Sequence, residues 1–335
     1  MFANKKYHLP AEWEPQSGVQ LTWPHDKTDW APMLNEVLET YEEMAREIRK
    51  REPLLIVGPP TNDTWARDHG FITLLPSLTS SLPPRLLDFC FNGWGEKFPA
   101  ELDNAINKRL YDDGTVKGEY EDHLDFVLEG GSIESDGQGT IFTTSCCLLA
   151  PHRNQPLTKE LIENRLKEYL YAERVVWIDH GSLAGDDTDG HIDTLVRICP
   201  DDTLLYIGTD DTVDEHFDEL RLMEEQLRTF RTLDGRPYRL MKLPLPRPIF
   251  DEDGERLPAT YANFLVVNGA VLCPTYGQPD LDQQALGIIG EAFPGRDIVG
   301  IDCRSLIKQH GSLHCCIMQF PTGVLQTPSS PIIPH

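Results

Sequence analysis

Apolar residues recur at helical spacing in five stretches, near 33–50, 99–110, 158–172, 213–230 and 281–292, and each predicts an amphipathic helix. PLLIVG, RVVWID, YRLMKL and RDIVGID follow helices as short strand-like runs. A second set, FITLL, HLDFVL, TLVRI, NFLVV and LHCCIM, comes after polar loops. The unit helix, strand, polar loop, strand therefore recurs. Its landmarks at the polar starts of the second strands are Asp68 in WARD, Gly130 in LEGG, His191 in GHID, Asn263 in YANF and His314 in LHCC, separated by 62, 61, 72 and 51 residues. A supersecondary unit at a near-constant period predicts a radial array, here one closed five-fold α/β assembly spanning 1–335 as a single domain. A doubly wound sheet also alternates helices with strands and is the competing architecture. In a ring, equivalent strand starts converge on the axis, so polar residues far apart in sequence meet in one central site.

Two segments stand outside the pattern. LPLPRPIFDEDGERLPAT, near 243–260, reads as a long surface loop and a candidate lid. The proline-rich tail, from about 323 to 335, is expected to be weakly ordered.

Composition narrows the partners. Against 30 basic side chains stand 54 acidic ones, a formal charge of −24. Such a surface repels nucleic acid and anionic membranes and favours cationic small molecules. No stretch approaches the roughly 20 apolar residues of a membrane span, and the first residues lack a signal-peptide core, so a soluble protein of the cytoplasm is expected. The eight cysteines include no Cys-x-x-Cys pair that could nucleate a zinc site, and reduced thiols are the expectation.

The densest polar cluster is GDDTDGHIDTLVRI, residues 185–198. If a strand begins at His191, alternation puts His191 and Asp193 on one face. Read alone, the run is equally an acidic loop capped by a histidine, and it lacks the register and closing glutamate of a calcium loop. NDTWARDHGF sets Trp65, Arg67 and Asp68 together, an aromatic beside a carboxylate that suits a flat cation, or else a buried ion pair. LEGGSI places Glu129 against two glycines that permit close backbone approach. In HGSLHCCIMQFP, strand alternation separates Leu313, Cys315 and Ile317 from His314, Cys316 and Met318, so only one of the two thiols can face a central site. Together these motifs supply a thiol, a histidine and carboxylates: a thiolate can attack a guanidinium carbon, carboxylates can hold its nitrogens, and histidine can protonate departing ammonia.

WARDHG, LEGGSI, DGHIDT, YANFLVVNGAVLCPTYG and LHCCIMQFP, in this order across nearly the whole chain, resemble the agmatine deiminase family, also called the bacterial peptidylarginine deiminase-like family. The resemblance implies a five-bladed α/β propeller of the guanidine-modifying (pentein) superfamily. The implied activity is hydrolysis of agmatine to N-carbamoylputrescine and ammonia, a step of putrescine biosynthesis, through a covalent cysteine thiouronium and without metal or organic cofactor. By motif, Cys315 matches the nucleophile and His191 the general acid and base. Asp68 and Asp193 match the guanidinium-binding carboxylates, Glu129 the acid beside the histidine, and Trp65 and Asp187 the channel for the alkylamine tail. Asp187 and Asp189 stand where relatives carry Glu and Asn, and Phe71 replaces a proline. The competing readings are an arginine or peptidylarginine deiminase, whose substrate carboxylate Arg67 or Arg247 would meet, a polyamine-binding module without catalysis, and a thiol acyl hydrolase. A homodimer is compatible with the resemblance.

Overall fold

The computed structural model describes residues 6–77 and 80–326. A two-residue strand β1 (Tyr7–His8) precedes β2 (Gln16–Thr22), which leads through α1 (Leu34–Arg49) to β3 (Leu54–Val57). Four similar units follow: β4 (Ile72–Pro76), β5 (Arg85–Cys90), α2 (Glu101–Asp112) and β6 (Glu119–Val127); β7 (Ile133–Ser135), β8 (Thr140–Thr144), α3 (Lys159–Tyr169) and β9 (Arg174–Ile178); β10 (Val196–Cys199), β11 (Thr203–Gly208), α4 (Phe217–Leu227) and β12 (Arg239–Pro244); β13 (Leu265–Val267), β14 (Ala270–Thr275), α5 (Pro279–Ala292) and β15 (Asp297–Asp302). The last strand, β16 (Ile317–Pro321), pairs with β2 and so completes the first unit. The five small sheets run β16–β2–β3, β1–β4–β5–β6, β7–β8–β9, β10–β11–β12 and β13–β14–β15. In each, the first strand of the unit is antiparallel to the second, and a helical crossover makes the third parallel to the second.

The helices form because their apolar stripes are buried. Val37, Thr40, Tyr41, Met44, Ala45 and Ile48 of α1 repeat at three- and four-residue steps and are all buried. Glu36 in its first turn and Arg46 and Arg49 in its last complement the helix dipole. Thr158 caps α3 by accepting from the Leu161 N–H at 3.3 Å, and Pro279 opens α5, where a missing N–H costs nothing. Helices also bridge neighbouring sheets: α1 touches β3 and β15, α5 touches β15 and β12, and α4 touches β11 and β9.

Several expectations change. The unit contains a middle strand that the apolar pattern did not separate, and HLDFVL ends β6 rather than starting a unit. No strand begins at His191: Ile192–Thr194 is a 3₁₀ turn and β10 starts at Val196. There the Thr194 hydroxyl donates to the His191 carbonyl at 2.8 Å and the Leu195 N–H to the Ile192 carbonyl at 2.9 Å, local bonds that replace the ladder. LHCC is likewise a turn, so strict alternation does not govern which side chains meet. The tail is held further than expected, since Val324 and Leu325 are buried with Phe71, Leu86, Val116 and Phe320, and only 327–335 lie outside the described residues. The 243–260 segment packs on Leu183, Ala184 and His216, and Arg256 pairs with Asp214 at 2.9 Å. Among the described residues no helix is long and apolar enough to cross a membrane.

Candidate active site

Five turns, each immediately before the first strand of a unit, meet at the centre. Asp68 lies on the single-turn helix Ala66–His69, Glu129 precedes the turn Gly130–Ser132, and His191 and Asp193 belong to the turn before β10. Asn263 precedes β13, and His314 with Cys315 precedes β16. All seven side chains are buried. Gly131 lets the turns close: a Cβ there would stand 2.6 Å from His191 Nδ1 and 2.9 Å from Asp68 Oδ1.

Each polar group is held from behind. Asp68 Oδ1 accepts from the Gly131 N–H at 3.1 Å and lies 3.6 Å from His191 Nδ1, while Oδ2 accepts from the Trp94 indole N–H at 2.9 Å. Glu129 Oε1 accepts from Arg153 Nε at 2.7 Å, and Arg153 also donates to Asp189 and to the Thr188 carbonyl, both at 2.9 Å. Asp193 Oδ2 takes His314 Nδ1 at 2.7 Å. The Cys315 thiol lies 3.5 Å from Asn263 Oδ1 and 3.9 Å from Asp193 Oδ2, and Asn263 Oδ1 also accepts the His314 N–H at 2.9 Å. Glu129 Oε2, Asp193 Oδ1 and His191 Nε2 are buried and find no hydrogen-bond partner among the described residues. Three acceptors in one closed site match a ligand rich in N–H donors.

The carboxylates are not alike. Burial pushes the Asp68 carboxyl up, and Asp193 and Glu129 add to this against the pull of His191. Burial also acts on Asp193, but the His314 hydrogen bond and charge, with His191 and Arg197, outweigh it and hold that carboxyl below the usual range. Burial, followed by the charges of Asp193 and Asp68, pushes the Cys315 thiol well up.

The centre opens into a cleft of about 160 Å³ lined by Cys315, Asp68, Trp65, Trp94, Phe98, Asp29, Asp63, Asp187, Thr188, Gln309, His310 and Gly311. Trp65 lies so close over Gly311 that a Cβ there would meet its ring at 2.3 Å. Asp63 is pushed up to about 6, by burial first and by Asp29 in part. Asp187 sits at the rim, 3.9 Å from His310 Nδ1, and its backbone carbonyl accepts from Lys97 Nζ at 2.6 Å. Thus Cys315, Asp68, Trp65 and Asp187 share one cleft, with Glu129, His191 and Asp193 around its floor. Arg67 and Arg247 do not line it: Arg67 is buried against Gln319 and Glu12, and Arg247 pairs with Asp280. The 243–260 segment contributes no lining residue.

Trp94 carried no motif signal. It stands in a left-handed run, Gly93, Trp94, Gly95 and Glu96 with φ of 65°, 57°, 87° and 66°, a conformation that costs a non-glycine residue about 1–2 kcal/mol. Only the alternating glycines of NGWGE hinted at it. Arg153, Glu12 and Arg197 carry no motif signal either; Asn263 stands out in the sequence only as a repeat landmark, and His314, which alternation sets on the side away from Cys315, meets Asp193 together with it. Among the described residues two donor sets could gather round a cation, Glu129–Cys147–His191 and Glu12–Glu134–His314. Arg153 already pairs with Glu129 in the first and Arg197 with both glutamates in the second, so guanidinium groups supply the positive charge.

Comparison with known proteins bears on this arrangement. A crystal structure from Porphyromonas gingivalis, provisionally named an arginine deiminase, matches at TM-score 0.90 and 47% identity, covering 96% of this chain and 100% of that one. An agmatine deiminase of C. jejuni, solved with substrate bound, matches at TM-score 0.89 and 35% identity over 97% and 99%. The agmatine deiminase of Stutzerimonas stutzeri is 31% identical over 94% of this chain and 95% of its own length. The family model for the Porphyromonas-type peptidyl-arginine deiminases matches residues 8–321. With kinship extending along almost the whole fold and through all five central turns, the chain belongs to the Porphyromonas-type peptidyl-arginine deiminase family.

Proposed function

We propose that this protein is an agmatine deiminase, hydrolysing the guanidinium of agmatine to N-carbamoylputrescine and ammonia in the cytoplasm. The observation that carries the choice of agmatine is the charge of the cleft: Asp29, Asp63, Asp68 and Asp187 line it, and among the described residues no lysine or arginine does. A dication with a guanidinium at one end and an ammonium at the other matches that lining, whereas the carboxylate of arginine would meet carboxylates. The five sheets, three neighbouring pairs of them bridged by α1, α5 and α4, and the turns that meet at one centre support a five-bladed α/β propeller built as a single domain.

In the proposed reaction the guanidinium donates to the free oxygens of Glu129 and Asp193, with Asp68 beside its nitrogens and His191 Nε2 left for proton transfer. Its positive charge offsets Asp193 and Asp68 beside Cys315, so substrate binding favours the thiolate that the free protein disfavours. The Cys315 thiol passes its proton to His191, the thiolate adds to the guanidinium carbon, and His191 hands that proton to the departing ammonia, leaving an S-alkylthiouronium. Water, losing a proton to His191, adds to the same carbon. Collapse releases the ureido product and restores the thiol. The cationic carbon stays between fixed carboxylates throughout, which is preorganised stabilisation of positive charge.

Incubation with agmatine, arginine and a blocked arginyl peptide, read as ammonia and ureido product, tests the proposal. Agmatine is expected to be turned over at least tenfold better than either; turnover of none removes the enzymatic reading, and preference for arginine removes this substrate. Asp187→Asn is expected to raise the agmatine KM about three- to tenfold with little change in kcat, as loss of a rim charge should. Trp94→Phe keeps the ring and deletes the N–H to Asp68, and steady-state kinetics should show kcat/KM about tenfold lower, the loss expected for one hydrogen bond to a charged group.

A further inference from the structure

His314 does not line the cleft, yet both nitrogens of its buried ring are held by carboxylates. Its Nδ1 lies 2.7 Å from Asp193 Oδ2 and its Nε2 lies 2.5 Å from Glu12 Oε1. Arg197 Nη2 also lies 3.2 Å from Nε2, so one edge of the ring is held by Asp193 and the other by Glu12 and Arg197 together. Behind it, Arg197 donates to Glu12 Oε2 and to Glu134 Oε1, each at 2.6 Å, and anchors on the Ala262 carbonyl at 3.0 Å, next to Asn263. Arg67 closes the group at 3.3 Å from Glu12 Oε1. Asp193, Glu12 and Glu134 are thereby enclosed with His314, Arg197 and Arg67, three carboxyl groups among three basic side chains with little access to water. Burying ions costs several kcal/mol each unless partners are fixed this closely, so the cluster defines which way Asp193 points and what charge it carries.

We propose that His314 is a positioning residue that holds Asp193 in place as the anchor for the cationic carbon, with Glu12 from the PAEWEP segment locking His314 from the far side. The contrast with Asp68 supports this: both carboxyls are buried beside His191, but only Asp193 has a second imidazole against it. The other groups facing Asp193 are His191 and Arg197, which favour its charge, and Asp68 and the Cys315 thiol, which oppose it. Removing His314 leaves the opposing pair with less compensation, so Asp193 takes up a proton at higher pH.

The inference rests on a guanidine-type site but not on agmatine as its substrate, and the test separates the two. In the full-length protein, the rate of Cys315 alkylation by 2-chloroacetamidine, a cation, is compared with that by neutral 2-chloroacetamide across pH in wild type, His314→Asn and Glu12→Gln. His314→Asn is expected to lower the amidine-to-amide rate ratio at least tenfold near neutral pH and to move the acidic fall of that ratio up by about one pH unit or more. Glu12→Gln should shift both in the same direction by less. A ratio and acidic limb unchanged in both variants, or equal slowing of both reagents, overturns the proposal and leaves His314 a packing residue. Should His314→Asn fail to fold, Glu12→Gln decides alone. Intact amidine selectivity in a wild-type protein that ignores agmatine would refute the substrate assignment without touching this one.

Discussion

Cys315→Ala is expected to lower agmatine turnover by at least about 10³-fold, while Cys316→Ala keeps most of it. Acidity does not separate the two thiols in the free protein. Burial pushes Cys316 up to about 12, and burial with Asp193 and Asp68 pushes Cys315 well up too. Geometry separates them. Cys315 lines the cleft among the carboxylates, whereas the Cys316 thiol donates to the Ser312 carbonyl at 3.4 Å in the hydrophobic core. A cation bound in the cleft can therefore ionise only Cys315. Peptide mapping after 2-chloroacetamidine treatment should find the adduct on Cys315, and agmatine should protect it. An adduct on Cys316 would reverse the assignment.

Glu129→Gln is expected to cost about 10²–10³-fold in agmatine kcat/KM, because it removes one of the fixed charges around the reacting carbon while preserving shape. Glu129→Ala should lose that and more. Arg153 is fully buried against Glu129 at 2.7 Å, and stripping the partner from a buried ion destabilises by about 3–5 kcal/mol. The half-exposed Asp189 at 2.9 Å softens the loss without replacing the partner. Kinetics and thermal melts together distinguish the effects: Gln should reduce rate with a small change in Tm, and Ala should reduce both. Equal losses of rate in Gln and Ala with equal melts would mean that Arg153 does not depend on Glu129.

The five long helices were legible because each buries one stripe and exposes the rest, as in α1, so the sequence repeats visibly. The middle strands were not. TLLYIG in β11 is buried along its full length, and a strand covered on both faces carries no alternation. The chemistry-bearing residues at the turns could be read from local motifs, since a turn keeps its polar groups within a few residues of one another. Their supports could not. Glu12 meets His314 across 302 positions, and Arg197 meets Glu12 across 185; such pairs have no local spacing to betray them. Alternation allowed only one of the two thiols to face the centre without saying which, and its premise does not hold, because Cys315 and His314 both reach the centre from a turn, where period two is lost.

The pairing of β16 with β2, Ile317 against Leu21 and Gln319 against Val19, also sets an order of events in time. Asp68, Glu129, His191 and Asp193 all leave the ribosome before Cys315, and at about 5–20 residues per second the interval between Asp193 and the thiol is several seconds or more. Throughout that interval the nascent chain has its carboxylates but no nucleophile, and β2 presents an open edge until β16 arrives. The proposed nucleophile thus arrives in the turn that leads directly into the strand that seals the edge. A chain arrested short of β16 would carry an unpaired strand and no activity, which makes turnover itself a report that the seam has closed.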